Sequence, residues 1–379
     1  MTSQGKPSIL FLCDYQAPYG GNFIASMMQL DQALQARGVA TCYLFPGGAR
    51  ERNWTKAMAC QGKDCQYFSG DGFGLRLREL LKVLDTHHAT ILHVHFGYFA
   101  LAEAVAILRP RLELILHFHS DFSGGRAPTF VQRCKDALKK LPELLIGKRL
   151  KKITVSQASA RTTKDCIQLH NALCEQRFNT ETWGREQTRA AHAIPEDGVL
   201  ALLFGWSPWV KGVDVAVEAV RKIHEQNAGQ LMLGVVCGRT YTKEKMQDFI
   251  RGRTGCSGDE SWLVYLPPVE DVFRYHKAAD VFVSASRSET FSYALLEAIC
   301  TKTPCVASDI PGVSWSKQFQ TVGFFPTQDS SALAQRLLET HARRSNPGFS
   351  MDLEKDAANA RRSYAIEQWV ERMLRVYGV

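Results

Sequence analysis

The sequence predicts an α/β protein with two doubly wound, Rossmann-like domains that face a central cleft. Short apolar runs of strand type alternate with helical stretches along the 379 residues. This alternation is typical of right-handed βαβ units around parallel sheets. A polar stretch at residues 179–198 interrupts the pattern, which then resumes. Because such sheets bind ligands beyond the carboxyl ends of their strands, we expect the functional site in the cleft.

The first domain is predicted at residues 1–185. It opens with a buried-type strand at residues 8–13, followed by a loop and a long helical pattern that Gly38 ends. Further apolar runs in this half of the chain predict strands at residues 39–45, 91–96, 112–118 and 153–155.

The second domain is predicted at residues 195–364, after a linker of polar composition. Its apolar runs predict strands at residues 199–204, 231–237, 263–266, 281–284 and 305–308. The remaining residues, 365–379, carry a last helical pattern that we treat as a separate C-terminal helix.

Composition and charge exclude several classes of protein. The formal net charge of +8 is modest for this length and does not require a nucleic-acid partner. No apolar run approaches the ~20 residues of a membrane span, and residues 1–7 lack the apolar segment of a signal peptide. Eleven cysteines without a C-x-x-C pair predict reduced thiols in a cytoplasmic protein, without a zinc site.

One segment, Arg133–Lys152, concentrates basic residues. It contains eight lysines and arginines against two acidic residues, and its apolar residues recur at helical spacing. Two interpretations stay open. The segment is an amphipathic core helix with a solvated face, or it is a surface that docks peripherally on anionic lipid at the inner face of the membrane. The second interpretation would suit a lipid-linked acceptor.

Two carboxylates, Glu289 and Glu297, lie on either side of a predicted strand-to-helix turn. Residues 281–284 are a short strand-type run, residues 294–300 have helix-forming composition, and Ser292 is a plausible N-cap between them. The N–H groups of the first helical turn would form an anion site for a phosphate or diphosphate. Glu297, in the second turn, could accept hydrogen bonds from the cis-diol of a ribose. This pattern is typical of a nucleotide-diphosphate site.

Two predicted strands end in His-x-His, at His93–His95 and His117–His119. Residues two apart on a strand share a face, so either pair could ligate a metal. Histidines at strand ends are more often hydrogen-bonded than metal-bound, and we therefore expect no metal at either pair.

The stretch Ser286–Ala298, followed by Thr303–Asp309, resembles the E-x7-E signature of retaining glycosyltransferases of the two-Rossmann GT-B fold, in the family-4 type. The resemblance covers nearly the whole chain, and it implies that the C-terminal helix crosses back to pack on the first domain. The sequence departs from the usual signature where a proline and three glycines are replaced, at Ala285, Thr290, Ser292 and Lys302.

The resemblance also implies roles for individual residues. Lys211 would neutralise the donor diphosphate, Glu297 would hold the ribose, and Glu289 and His119 would contact the transferred sugar. Trp206 replaces the arginine that shares the task of Lys211, so either Arg287 or Arg239 would supply the second charge or the leaving group would be less strongly stabilised. The implied catalytic residues are His119, Glu289 and Lys211; the implied donor-binding residues are Gly20, Gly21, Gly205, Lys211, Arg287, Thr290, Phe291, Ser292 and Glu297.

A retaining glycosyltransferase is the function that the resemblance implies. It would move a sugar from a nucleotide-diphosphate donor, with UDP-hexose or UDP-N-acetylhexosamine as the first choice, to an acceptor hydroxyl in glycan or glycoconjugate assembly. The chain has no D-x-D motif, and we expect no metal and no cofactor. The alternatives are a soluble small-molecule acceptor or a non-catalytic scaffold. An NAD-dependent oxidoreductase is disfavoured because the G-x-G-x-x-G fingerprint is absent.

Overall fold

The computed structural model describes residues 7–119, 141–155, 165–175, 177, 183–226 and 231–379. Contacts divide these residues into two compact units. The first unit holds the described residues up to Ala172 together with Ile366–Val379, and the second holds those of Leu173–Ala365. None of the helices in these ranges is long and apolar enough to cross a membrane.

The first unit is built on a parallel sheet whose order is β3-β2-β1-β4-β5-β6-β7. Its strands are β1 Ser8–Cys13, β2 Ala40–Phe45, β3 Cys65–Tyr67, β4 Ile91–His95, β5 Glu113–Phe118, β6 Leu150–Thr154 and β7 Cys166–Gln168. Its helices are α1 Gly21–Ala36, α2 Asn53–Cys60, α3 Phe73–Thr86 and α4 Phe99–Leu108, and residues 141–146 are also helical.

The second unit is built on a parallel sheet whose order is β10-β9-β8-β11-β12-β13. Its strands are β8 Val199–Phe204, β9 Leu231–Val236, β10 Leu263–Leu266, β11 Val281–Ser284, β12 Cys305–Ser308 and β13 Val322–Phe325. Its helices are α5 Arg185–Ala191, α6 Pro208–Lys211, α7 Val213–Glu225, α8 Lys243–Arg251, α9 Phe273–Ala278, α10 Tyr293–Cys300, α11 Ser330–Arg343 and α12 Pro347–Ser363.

Both sheets are doubly wound, as predicted. In each, the chain adds two strands on one side of its first strand, β1 or β8, and then continues on the other side. The predicted strands are all present, and their bounds differ by at most three residues. The strands missed by the sequence analysis are β3, β7 and β13, whose runs of three or four residues give little periodic signal.

The polar stretch predicted as a linker contains α5, which packs against α9 of the second unit. Arg189 of α5 is completely buried, and its guanidinium binds the carboxylate of Asp280 at 2.5 Å. The prediction of a linker was wrong here because the composition is polar, whereas the helix is held by a buried ion pair rather than by an apolar face.

The last helix, α13 Ile366–Tyr377, belongs to the first unit and packs against α1. Its apolar side includes Trp369, Met373 and Tyr377, which join the core over one face of the first sheet. None of the described cysteines forms a disulfide bond.

Candidate active site

The turn between β11 and α10 has the conformation that the sequence predicts. Ser292 is the N-cap of α10, and its side chain accepts a hydrogen bond from the backbone N–H of Leu295 at 3.3 Å. The carboxyl edge of the second sheet therefore presents a capped helix N-terminus, where backbone N–H groups and the helix dipole favour an anion.

Lys211 and Glu289 form an ion pair at this edge. The hydroxyl of Ser286 donates a second hydrogen bond to Glu289 Oε1, at 2.9 Å. Both charged side chains are largely buried, with 14% of Lys211 and 11% of Glu289 exposed. Two predicted site residues that lie far apart in the sequence are thus brought together.

Gly212 makes this approach feasible. Its φ of +64° is in the left-handed region, where it caps both α6 and α7. A Cβ at Gly212 would lie 2.0 Å from the carbonyl oxygen of Ala285. The turn at Gly212, directly after Lys211, therefore packs on the backbone that precedes Ser286, and a side chain would separate them.

The indole ring of Trp206 lies beside the ammonium group of Lys211, at the position where an arginine is usual. The Lys211 ammonium lies 4.6 Å from the centroid of the indole ring, within the range of a cation–π interaction. The ring is 58% exposed. An arginine here would repel the ammonium, whereas the indole attracts it.

Arg287 is held by the second unit itself. Its guanidinium binds both carboxylate oxygens of Asp214, at 2.8 and 2.7 Å, and also donates to the carbonyl of Trp209 at 2.6 Å and to Gln328 Oε1 at 3.1 Å. The same guanidinium lies 3.6 Å from the centroid of the Trp209 ring. Its predicted role in donor binding stays a prediction, and these contacts assign it a role in holding the loop after β11.

Glu297 is buried on α10, with 5% of its surface exposed. Its carboxylate lies 3.5 Å from the guanidinium of Arg177 and 3.9 Å from His276 Nε2. Helical geometry places it in the second turn of α10, as the sequence predicts. The carboxylate is thus positioned by cationic and polar neighbours rather than surrounded by solvent.

The other predicted donor-binding residues of the second unit have different surroundings. Phe291 is buried and stacks on Trp315 at 4.8 Å between ring centroids, while Thr290 next to it is partly exposed. Gly205 ends β8 at a crowded point, because a Cβ there would lie 2.8 Å from Val235 Cγ1. Packing against β9 is therefore sufficient to explain a glycine at this position.

In the first unit, Gly20 and Gly21 open α1. Gly21 has a φ of +58°, and a Cβ at Gly20 would lie 3.1 Å from Ile24 Cβ. The hydroxyl of Tyr15 donates to the carbonyls of Tyr19 and Gly20, at 2.9 and 3.1 Å. The paired glycines thus form a tight, hydrogen-bonded entry to the helix.

His119 lies at the end of β5 in a cluster of aromatic rings. Its ring stacks on Phe96 at 4.1 Å, and its Nε2 lies 3.0 Å from Nδ1 of His95. Burial lowers the pKa of His119 to about 3, so the ring is neutral at physiological pH. A neutral imidazole can donate or accept a hydrogen bond but supplies no charge.

A cavity of about 430 Å³ opens at the carboxyl edge of the first sheet. Burial raises the pKa of the Asp14 carboxyl in its wall, although the nearby Arg76 opposes the shift. A Cβ at Gly97 would lie 2.2 Å from Asp14 Oδ2, so this glycine lets the loop reach the carboxylate. The polar lining includes Asp14, Gln16, Gly47, Gly48, Ser69, Asp71, Arg76 and Tyr98.

The cavity at Asp14 was not predicted from the sequence. The residues on either side of Gly97, Phe96 and Tyr98, have φ values of +68° and +63°. Such strained backbone in non-glycine residues is concentrated at functional sites. The Phe-Gly-Tyr turn directly after a buried strand was the available signal, but its strain is visible only in three dimensions.

The basic segment is not one helix. Residues 133–140 lie outside the described ranges, whereas Lys151 and Lys152 lie on β6 and form ion pairs with Glu113 at 3.0 Å and Glu143 at 2.6 Å. Arg149 donates to the backbone carbonyls of Ala106, Arg109 and Leu112. The prediction of an amphipathic helix through residue 152 was wrong, because the chain enters the sheet after residue 149.

Comparisons with known proteins agree with this fold. Residues 199–343 match the family described as "Glycosyl transferases group 1". A D-inositol 3-phosphate glycosyltransferase from Acidothermus cellulolyticus is 24% identical over 201 residues, which are 50% of this chain and 43% of that protein. The chain spans less than half the length of the first curated relatives it matches.

Solved structures extend the likeness to the whole chain. A glycosyltransferase from Rickettsia africae ESF-5 has a TM-score of 0.80 at 13% identity, over 98% of both chains. HepE from Anabaena, solved in complex with UDP-glucose, has a TM-score of 0.72 at 16% identity, over 98% of this chain and 99% of that chain. The chain therefore has the GT-B fold, and the match to the group 1 glycosyltransferase family is confined to residues 199–343.

Proposed function

We propose that this protein is a retaining glycosyltransferase that moves a sugar from a nucleotide-diphosphate donor to an acceptor hydroxyl, with formation of an α-glycosidic bond. The observation that carries the proposal is the grouping of Lys211, Glu289 and the capped N-terminus of α10 at the carboxyl edge of the second sheet. Positive charge and backbone N–H groups at one point suit a departing diphosphate.

Each group in the proposal has a defined task. Lys211 and the first N–H groups of α10 stabilise the charge that develops on the leaving diphosphate. Glu297 accepts hydrogen bonds from the ribose hydroxyls, and Glu289, held by Lys211 and Ser286, faces the transferred sugar. Arg287 positions Trp209 and Asp214 beside this site. Transfer by these groups needs no metal at the diphosphate, because Lys211 and the helix dipole supply the positive charge.

The proposed donor is a UDP-sugar, a UDP-hexose or UDP-N-acetylhexosamine. The UDP-glucose complex of HepE, which shares the fold, supports uridine as the first base to test. Thermal unfolding should be followed with UDP, GDP, ADP and CMP and with their sugar conjugates, each with and without EDTA. A ligand at 100 times its Kd stabilises the folded state by about 2.7 kcal/mol. The shift is compared with a nucleotide-free sample at the same EDTA concentration, so that any effect of the chelator itself cancels.

A rise in Tm with one nucleoside diphosphate, unchanged by EDTA, would support the donor site and identify the base. Turnover of the matching sugar nucleotide, with NMR assignment of the product anomer, would then test retention. No shift with any nucleotide would favour the non-catalytic scaffold. An inverted anomer would refute the retaining mechanism while leaving the transferase assignment in place.

The proposed acceptor carries a hydroxyl-rich, polar group that enters the cavity at Asp14. This cavity is lined by a carboxylate, a guanidinium and hydroxyl or amide groups, the partners that sugar or cyclitol hydroxyls use. The Asp14 carboxylate can accept from an acceptor hydroxyl and orient it. The D-inositol 3-phosphate glycosyltransferases, among the chain's relatives, act on a cyclitol phosphate by their name, which supports a small soluble acceptor.

A lipid-linked acceptor is the second candidate, and one observation favours it. Leu141, Leu144 and Leu145, within the basic segment, are exposed by 52%, 77% and 59%. Flotation with vesicles of anionic phospholipid separates the two candidates. Co-flotation that Leu144→Asp abolishes would support membrane contact. No flotation of the wild-type protein at low salt would support a soluble acceptor.

A further inference from the structure

Two strands of the first sheet bring three histidines onto one buried face. His93 and His95 share a face of β4, and the strand register places His95 beside His117 of β5. This face packs against the core that contains α1 and α13. The three imidazoles are 0%, 0% and 1% exposed, so solvent does not satisfy their nitrogens.

The ring nitrogens of these histidines fall into two classes. His93 Nδ1 lies 2.6 Å from the hydroxyl of Tyr377, and His95 Nδ1 lies 3.0 Å from His119 Nε2. In contrast, His93 Nε2, His95 Nε2 and both nitrogens of His117 are buried without a hydrogen-bond partner among the described residues. A buried polar atom left without a partner costs about 1–3 kcal/mol, so several together call for an explanation.

The three imidazoles also lie close enough together to share one ion. One potential ligand atom from each of His93, His95 and His117 lies within 4.8 Å of the other two. From this geometry we propose that His93, His95 and His117 bind a divalent transition-metal ion of the Zn²⁺ class. Three imidazoles suit zinc and its neighbours in the first transition row, whereas Mg²⁺ and Ca²⁺ require oxygen ligands.

The outer hydrogen bonds have the form that metal-binding histidines use. A ligating histidine usually donates its second ring N–H to a carboxylate, carbonyl or other polar group, which fixes the tautomer and leaves one lone pair for the metal. The Tyr377 hydroxyl serves His93 in this way, and the imidazole of His119 serves His95. In both His93 and His95, the hydrogen-bond partner is at Nδ1 and the nitrogen without a partner is Nε2.

No metal was expected at either His-x-His pair, because histidines at strand ends are more often hydrogen-bonded than metal-bound. One pair offers two ligands, which is a weak site. The register between β4 and β5 adds a third ligand from the neighbouring strand, and a pairwise motif does not contain that information.

Metal binding would also fix the tautomer of His119, that is, which of its ring nitrogens carries the proton. If His95 Nε2 binds the ion, its Nδ1 carries the proton and donates to His119 Nε2, so that His119 carries its own proton on Nδ1. This consequence concerns the expectation, implied by the resemblance, that His119 contacts the transferred sugar. The metal site itself does not depend on glycosyl transfer and is tested without any donor.

The test uses the full chain, stripped of metal with a chelator and dialysed. Co²⁺ alone is titrated into the native protein and, because the site is buried, is also present during refolding in a parallel sample. We expect one equivalent to bind with the visible absorption of a four- or five-coordinate site. Zn²⁺ should displace it. X-ray absorption of the zinc form should show nitrogen ligands at about 2.0–2.1 Å.

Three variants make the result specific. His117→Gln removes a ligand and should abolish stoichiometric binding. Tyr377→Phe removes only the hydroxyl partner of His93 and should weaken binding about 10- to 100-fold while the fold is kept. His341→Gln, at an exposed position on α11, is the matched control and should bind as the wild type does.

Two outcomes would overturn the proposal. One is the absence of stoichiometric metal in the wild-type protein after both titration and refolding. The other is wild-type binding in both His117→Gln and Tyr377→Phe, with loss in His87→Gln. The latter would assign the ion to the group formed by Cys42, Asp64 and His87, whose potential ligand atoms also lie within 4.8 Å of one another. Circular dichroism shows which variants fold, and if His117→Gln does not, Tyr377→Phe decides.

Discussion

The ammonium group of Lys211 is paired with the carboxylate of Glu289, although 78 residues separate them in the chain. The pair joins the loop after β8 to the loop after β11, and Ser286 fixes the carboxylate from a third direction. In the proposed function, donor binding would share Lys211 between Glu289 and the diphosphate. The carboxylate thus holds the ammonium in place before the donor arrives.

Replacing Lys211 should reduce catalysis more than stability. In the proposed function, Lys211→Met removes the charge that stabilises the leaving diphosphate, and we expect kcat to fall by about 10²–10³-fold. Steady-state kinetics with the identified donor measures the change. The matched control is Lys302→Met, which breaks an exposed ion pair with Glu354 and should leave kcat unchanged. Equal losses in both variants would contradict a specific role for Lys211.

Glu297→Gln should raise the donor KM. The substitution keeps the shape of the side chain but removes the charge-assisted acceptance from two hydroxyls, so we expect an increase of about 10- to 100-fold. Because the same change breaks the contact with Arg177, Tm is measured alongside. Glu354→Gln on α12 is the control. A wild-type KM in a folded Glu297→Gln protein would refute the ribose assignment.

Arg287→Lys should affect the fold more than the reaction. A lysine cannot make the bidentate contact with Asp214 together with the contacts to Trp209 and Gln328. We expect a loss of about 1–3 kcal/mol in the free energy of unfolding, measured by urea denaturation. If the variant keeps the wild-type free energy of unfolding but its Tm no longer rises with the nucleotide, Arg287 would instead be assigned to donor binding.

Asp280→Asn should be the most destabilising of these substitutions. The carboxylate binds Arg185, Arg189 and Arg344 and accepts from the backbone N–H of Leu200 at 2.7 Å. Removing its charge leaves the buried guanidinium of Arg189 without a compensating charge, which costs about 3–5 kcal/mol. Denaturant unfolding measures the loss, with Asp248→Asn in an exposed pair as the control. A loss below 1 kcal/mol would contradict the role given to Asp280.

Asp280 also predicts an acid dependence of stability. Burial opposes its ionisation, but the Leu200 N–H and the surrounding arginines prevail and hold the pKa of this carboxyl below its usual value. The unfolded chain, where the pKa is about 3.9, therefore binds the proton first as pH falls. The stabilisation is fully present above about pH 4 and declines at lower pH. The Asp280→Asn variant should lack this pH-dependent part of the stability. An acid unfolding curve identical to that of the wild type would contradict this prediction.

Periodicity predicted most of the fold. Alternating apolar runs located the central strands of both sheets, because a strand buried on both faces is a nearly continuous apolar run. The Ser292 cap was predicted correctly because capping depends on neighbouring residues alone. Short edge strands such as β3 and the helix α5 were not predicted. Their stability comes from strand register and from the Arg189–Asp280 ion pair rather than from a local sequence pattern.

The sequence by itself determined the βαβ order, the turn before α10 and the positions of Glu289 and Glu297 on either side of it, because these follow from local composition and spacing. Only the tertiary structure decided which distant groups meet. Strand register and loop packing brought Lys211 to Glu289, Arg287 to Asp214, and His117 beside His95. Such contacts depend on the alignment of neighbouring strands and on glycines such as Gly212 that allow close approach, and neither is encoded in a single segment of the chain.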